Sequence, residues 1–252
     1  MTCKNCKQNF EGNFCNHCGQ NSNVQKINFT YLADEISNSV LQVNRGILFT
    51  IKELFIRPGH SIREFLEGKR KQHFKPLAFV LLVSTIYVLL TYFTETKTFL
   101  GSAINGASDA LNTRNQKLST SIKILNWLAN NYAYSTLLLL PIFSLASYLS
   151  FKKAKYNYFE HLILNFYITG QQIVIYIIFT FLYFAFNSDS YFLQGLPFIL
   201  SILFTFLTFI QFFQSKKFVT KIFLSLLAYL LYFIFIGVFM SLIGYLAESG
   251  IF

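Results

Sequence analysis

The chain has 252 residues, of which 54% are hydrophobic and 19% aromatic, while only 13% are charged and the formal net charge is +10. Soluble domains carry about 25% charged residues, and here the apolar residues are gathered into long blocks rather than spread at helical or strand periods. That pattern excludes an ordinary soluble domain and predicts an all-α, polytopic transmembrane bundle.

All four cysteines lie in the first 18 residues, as Cys3-Lys4-Asn5-Cys6 and Cys15-Asn16-His17-Cys18. Two such knuckles can converge four sulfurs tetrahedrally on one ion at about 2.3 Å, so residues 1–22 are expected to form a zinc ribbon. Between the pairs, Glu11-Gly12-Asn13 flanked by Phe10 and Phe14 suits the turn of a small hairpin over the metal. So short a segment has no core without the ion, and metal binding and folding become one event. Four thiolates leave no open position, which makes the zinc structural; iron on the same four thiolates is the alternative. His17, between two ligands, is expected to be solvated.

Residues 23–75 are expected to form cytoplasmic amphipathic and interfacial helices. Leu32, Ile36, Val40 and Val43 recur at helical spacing, predicting a helix over Thr30 to Val43 that Gly46 interrupts. Ile47 to Ile56 is apolar but too short to cross a bilayer, so it is expected in the interface or against the bundle. Arg57-Pro58-Gly59 ends it, and Ser61 with Glu64 reads as a capping box for a further short helix. Lys69, Arg70, Lys71 and Lys75 form a basic collar beside the first apolar block, suited to anionic headgroups or a partner. His60, Glu64, Glu67 and His73 have no metal-ligand spacing and are expected to be solvated.

The Cys3–Cys6 and Cys15–Cys18 pairs, Phe10-Glu11-Gly12, Cys18-Gly19-Gln20, Arg57-Pro58-Gly59, Ile62-Arg63-Glu64-Phe65-Leu66, Gly68-Lys69-Arg70 and Pro76 together resemble the bacterial membrane family catalogued as domain of unknown function 3667. Lys7 stands where such knuckles often have Gly. The resemblance implies a bacterial inner-membrane protein with a zinc ribbon and brings no established activity.

Five apolar blocks follow, at about 76–93, 132–151, 161–186, 196–213 and 222–246, with no Asp, Lys or Arg inside them. Roughly 20 apolar residues span a hydrocarbon core of about 30 Å. The 13 Leu, Ile and Phe residues of the fourth block favour insertion by roughly 5 kcal/mol in sum, which outweighs Pro197 and Gln211. The first block begins only at Pro76, beyond the position of a secretory signal, and is expected to be retained as a span.

Lys and Arg number seventeen in one set of alternate loops and four in the other. The positive-inside rule then predicts a cytoplasmic N-terminus and an outside C-terminus. A cytoplasmic ribbon meets a reducing environment, which disfavours disulfides. Topology explains most of the positive charge, so nucleic-acid binding is not expected.

The span interiors are predicted to lack ionisable side chains. Asn165, Thr169, Gln172, Tyr176 and Tyr183 fall on one face of the third span, Ser201, Thr205 and Thr208 stripe the fourth, and Gly237, Ser241 and Gly244 make a small-residue face on the fifth. Helix packing explains such stripes; a solute path through Asn165, Thr169, Gln172 and Tyr176, with bending at Pro141 and Gly170, is the alternative. No catalytic constellation is visible. The expected function is a non-enzymatic scaffold or regulator among membrane lipids, whose ribbon binds a cytoplasmic protein; the alternative is a transporter or channel for a neutral or lipid-like solute.

Overall fold

The computed structural model describes residues 1–24, 26–32, 46–96, 127–128, 130–186, 191–214 and 217–248. Among the described residues, seven α-helices are delimited after a cysteine-rich N-terminal segment: α1 Gly46–Ile56, α2 Pro58–Glu67, α3 Pro76–Thr94, α4 Tyr132–Ser150, α5 Tyr158–Phe186, α6 Tyr191–Phe212 and α7 Phe218–Glu248. The last five are long and apolar enough to cross a membrane, and the chain is a multi-pass membrane protein by that measure. Of the helix expected over Thr30 to Val43, residues 29–32 are helical and Asn28 Oδ1 caps them by accepting from the Tyr31 N–H at 2.9 Å; positions 33–43 lie outside the described residues.

Helix α5 is the axis. In its apolar window 67% of residues are buried, against 11% in α7, which rides on the outside. Helices α3, α4 and α6 all pack on α5, and α7 packs on α4 and α6. The start of α5 is fixed by a reciprocal cap: Asn157 N–H donates to Glu160 Oε2 at 2.8 Å and Glu160 N–H to Asn157 Oδ1 at 2.9 Å. A Cβ on Gly170 of α5 would sit 2.5 Å from the Phe79 ring of α3. Gly170 is therefore the seat for Phe79, where the sequence suggested a bend.

Helices α3 and α5 run in parallel but staggered. Tyr167 Oη donates to the Phe74 carbonyl at 2.7 Å, Gly170 faces Phe79, and Tyr87 meets Tyr176 with ring centroids 6.1 Å apart. The base of α3 thus lies level with Tyr167, about 14 Å up a helix that begins at Tyr158. Helices α1 and α2 fill the space this leaves on the flank of α5, burying Thr50, Leu54, Ile62 and Phe65.

One local expectation is corrected. Ser61 and Glu64 do not form a capping box: the helix starts at Pro58 behind Arg57, Ser61 is buried within it, and Glu64 turns to Arg57 and Lys69. Pro58 supplies the start instead, its missing N–H falling where a first-turn donor has no helical partner. Gly46 is the first described residue of α1, and its bare Cα lets the chain pass the Gln72–Phe74 backbone.

Candidate metal centre

The cysteine segment is built from one unit used twice. Cys-x-x-Cys-x-Gln-Asn occurs at Cys3 to Asn9 and again twelve residues later at Cys15 to Asn21. The backbone repeats with it: Cys3 N–H donates to Gln8 O and Cys15 N–H to Gln20 O, both at 2.9 Å, while Lys7 N–H meets Cys3 O at 3.0 Å and Gly19 N–H meets Cys15 O at 2.7 Å. Antiparallel bridges pair Thr2 with Asn9 and Phe14 with Asn21. The hairpin expected around Glu11-Gly12-Asn13 is therefore two knuckle loops joined at Gly12, whose φ is +97°. Lys7 takes φ +64° where the second unit has Gly19 at +71°. Only one of the two equivalent positions has glycine's freedom in the left-handed region.

All four Sγ atoms lie within 4.8 Å of one another, with Cys3 to Cys18 and Cys6 to Cys15 each at 3.6 Å. A tetrahedral ion with metal–sulfur bonds of about 2.3 Å would separate its sulfurs by about 3.8 Å, whereas a disulfide closes to about 2.05 Å. The four cysteines are free thiols at spacings that fit a metal. Against a backbone hydrogen bond from Gln8 that favours its thiolate, burial and the three neighbouring thiols push Cys6 up to about 12. Burial also opposes ionisation of Cys3, but hydrogen bonds from the Cys6 and Asn5 backbone and from the Cys18 and Cys6 thiols together outweigh it and lower its pKa to about 6. Metal coordination requires that anionic form. Apart from the ligands, the ribbon's core is Phe10, while Phe14 is 61% exposed.

The ribbon does not hang free. Lys4 and Val24 lie against Gly68 at the end of α2, where a Cβ would come within 2.8 Å of Lys4 Cδ, and the Lys71 side chain lies against Gly19. Behind it, Ile27 and Leu32 join the core of the bundle, and Asn157 Nδ2 donates to the Ile27 carbonyl at 3.1 Å.

That docking redistributes the basic collar. Lys69 pairs with Glu64 at 3.0 Å, Arg70 Nε donates to the Phe65 carbonyl and its guanidinium sits 4.7 Å from the Tyr31 ring centroid, Lys71 reaches the ribbon, and Lys75 precedes α3 and accepts from the Phe79 N–H. Glu64, expected in solvent, also accepts from Arg57, which bridges it to Glu53. Burial works against its carboxylate, yet the hydrogen bonds from Arg57 and Lys69 more than offset this and hold its pKa below the usual range. His60 hydrogen-bonds Arg63 at 2.7 Å, and His73 stands edge-on to Phe49 and Phe65; only Glu67 is exposed as expected.

These contacts run through one stretch of the sequence. Gly59 lets α2 meet the end of α6 backbone to backbone, and Arg63 donates to the Gln211 and Phe212 carbonyls at 3.0 and 2.9 Å, closing the α6 C-terminus. With α1 and most of α3, this stretch is residues 44–88, the part matched by the family described as protein of unknown function (DUF3667). Over this segment the chain is similar to that family. The match covers the Arg-Pro-Gly and Gly-Lys-Arg motifs that carried the resemblance and stops short of the cysteines. No curated protein and no solved structure matches the chain.

Inside the bundle, the polar residues of α5 turn to different neighbours. Asn165 Nδ2 donates to Ser144 and Ser147 of α4 at 3.2 and 3.0 Å, Gln172 Nε2 to the Ser201 carbonyl and Thr205 hydroxyl of α6 at 3.0 and 2.9 Å, and Tyr176 faces Tyr87 of α3. Thr169 is buried beside them. His161, in the first turn of α5, is fully buried, with Nδ1 3.0 Å from Ser147 Oγ, and its link to Asn165, Ser144 and Ser147 went unread in the sequence. The signal was available, because His161, Asn165, Ser144 and Ser147 are each at helical spacing within antiparallel neighbours. On α7, Gly237 has nothing within reach of an added Cβ.

Proposed function

We propose that this protein is a non-enzymatic membrane scaffold or regulator in which a bundle of five spans holds a structural zinc ribbon at the cytoplasmic face for a protein partner. The observation that carries the reading is a cluster of four sulfurs, all within 4.8 Å of one another, in a ribbon seated on the bundle. Its sulfurs fill every coordination position of a zinc ion, so the ion organises a surface and activates no water. Zinc is preferred to iron because it is redox-inert, which suits a purely structural centre. Lysine-rich loops favour the cytoplasmic placement, and the bacterial inner membrane follows from the family resemblance.

Phe14 supports the partner half of the proposal: a large aromatic side chain 61% exposed on the outer surface of a ribbon whose other phenylalanine is buried. Crosslinking in native membranes should recover a protein partner with the natural chain and lose it with Phe14→Ser, while metal content stays at one ion per chain. The same partner recovered from Phe14→Ser and from Cys15→Ser/Cys18→Ser would remove the ribbon from the interaction.

A further inference from the structure

Helix α1 presents two faces of unlike character. Thr50 and Leu54 point inward and are buried, while Leu48, Phe55 and Ile56 are 76%, 47% and 63% exposed and share the outer face with exposed Lys52. Spacings of four, three and one place these four on a single stripe. Three large apolar side chains to one lysine is a poor surface for water.

The position of α1 names what covers it. Gly46 abuts the backbone leading into α3, the Ile51 carbonyl accepts from Gln171 of α5 at 3.4 Å, and the chain leaving α1 meets the end of α6 at Gly59. Helix α1 therefore lies across α5 at the level where α3 begins and α6 ends. Helix α3, whose approach passes Gly46, also exposes apolar side chains, among them Leu81, Ile86 and Leu89. The 11 residues of α1 rise only about 16 Å, too little to cross. Glu53 is tied to Arg57 at 2.6 Å and 15% exposed, which leaves Lys52 as the outward charge.

We propose that α1 is embedded in the leaflet on the ribbon side of the membrane, with Leu48, Phe55 and Ile56 against lipid acyl chains and Lys52 reaching back to the headgroups. A lysine stem long enough to snorkel makes that geometry self-consistent. The inference rests on the five spans crossing a bilayer and is independent of what the ribbon binds.

The test uses the full chain with its single tryptophan removed (Trp127→Phe), carrying Phe55→Trp and reconstituted in phosphatidylcholine vesicles. Lipid brominated in the upper half of the acyl chain should cut its emission about twofold, as for a helix seated about 5–10 Å below the headgroups, and aqueous iodide should have little effect. Leu89→Trp on α3 should respond to bromine, and Phe14→Trp on the ribbon to iodide. If Phe55→Trp disturbs folding, Leu48→Trp reads the same face. Quenching by iodide alone would show that α1 faces water, and shielding from both quenchers would show that protein covers it; either result overturns the proposal. A silent Leu89→Trp would instead remove the membrane reading beneath it.

Discussion

The ribbon and the base of the bundle are neighbours held together in opposite ways. In the ribbon, a buried cluster of Phe10 with the cysteines is all that accompanies four thiols converging on one point. At the base, α1, α2 and the starts of α3 and α5 share a continuous apolar core with dispersed polar locks, among them Thr50 to Phe74, Tyr167 to Phe74 and Arg63 to the α6 carbonyls. Order in the first should hang on a single ion and fail all at once. Order in the second is divided among many contacts, so single changes should subtract increments.

The sharpest way to break the comparison is to remove the ion. Structural zinc in small modules contributes about 10–16 kcal/mol of folding free energy. Cys15→Ser, or a strong chelator, should abolish metal by elemental analysis and expose the Lys7 and Gly19 amides, bonded in the folded knuckles, to rapid hydrogen exchange. Amides of α5 should keep their protection. Loss of protection along α5 as well would mean that the two regions fold as one.

The two regions also differed in how openly the sequence displayed them. Four cysteines at fixed spacing announce their geometry because the ligand set is local, and the 12-residue unit behind it is equally local. The five long apolar helices were equally plain, since length and composition suffice. The base was not, because its contacts join residues far apart in the chain. Arg63 closes a helix end nearly 150 positions away, and nothing local to it says so. Ser61 with Glu64 matched a capping pattern, yet Pro58 three residues earlier set the helix start and the tertiary partners Arg57 and Lys69 claimed the glutamate. The collar shows the same limit: that the ribbon, Glu64 and two aromatic rings engage three of its four cations cannot be read from the basic run itself.

Within the base, the largest single effects belong to glycines at close approaches. Gly59→Ala would drive a Cβ into the Phe212 and Thr208 backbone of α6, which cannot give as a side chain can. A loss of about 3 kcal/mol is expected, read as a lower melting temperature in detergent with metal content unchanged. Gly170→Ala meets only the Phe79 ring. Adding Phe79→Leu should restore part of its loss, whereas no rescue would show that Gly170 matters for something other than room.

Arg63→Met tests a polar lock of the base without adding bulk. It would leave the Gln211 and Phe212 carbonyls without their guanidinium donor and His60 without its partner. Hydrogen bonds to charged groups contribute about 1.5–3 kcal/mol, and the loss should appear as faster exchange in the last turn of α6.

The smallest effect is a pH dependence belonging to the base alone. Burial between Phe49 and Phe65 pushes the His73 pKa down to about 4, with nearby Glu53 and Glu64 opposing the shift. The folded chain therefore keeps His73 neutral where an unfolded chain, with a histidine pKa of about 6.5, already binds a proton. Stability from this residue is intact above pH 6.5, declines as pH falls toward 4, and levels off below that. After allowance for partial exposure the drop should be about 1–2 kcal/mol. His73→Phe keeps the aromatic packing and should flatten that part of the profile relative to the natural chain. Ribbon metal loss also grows in acid as thiolates protonate, so the comparison is made on metal-free protein, where the His73 slope should persist; its disappearance there would place the pH sensitivity in the cysteines.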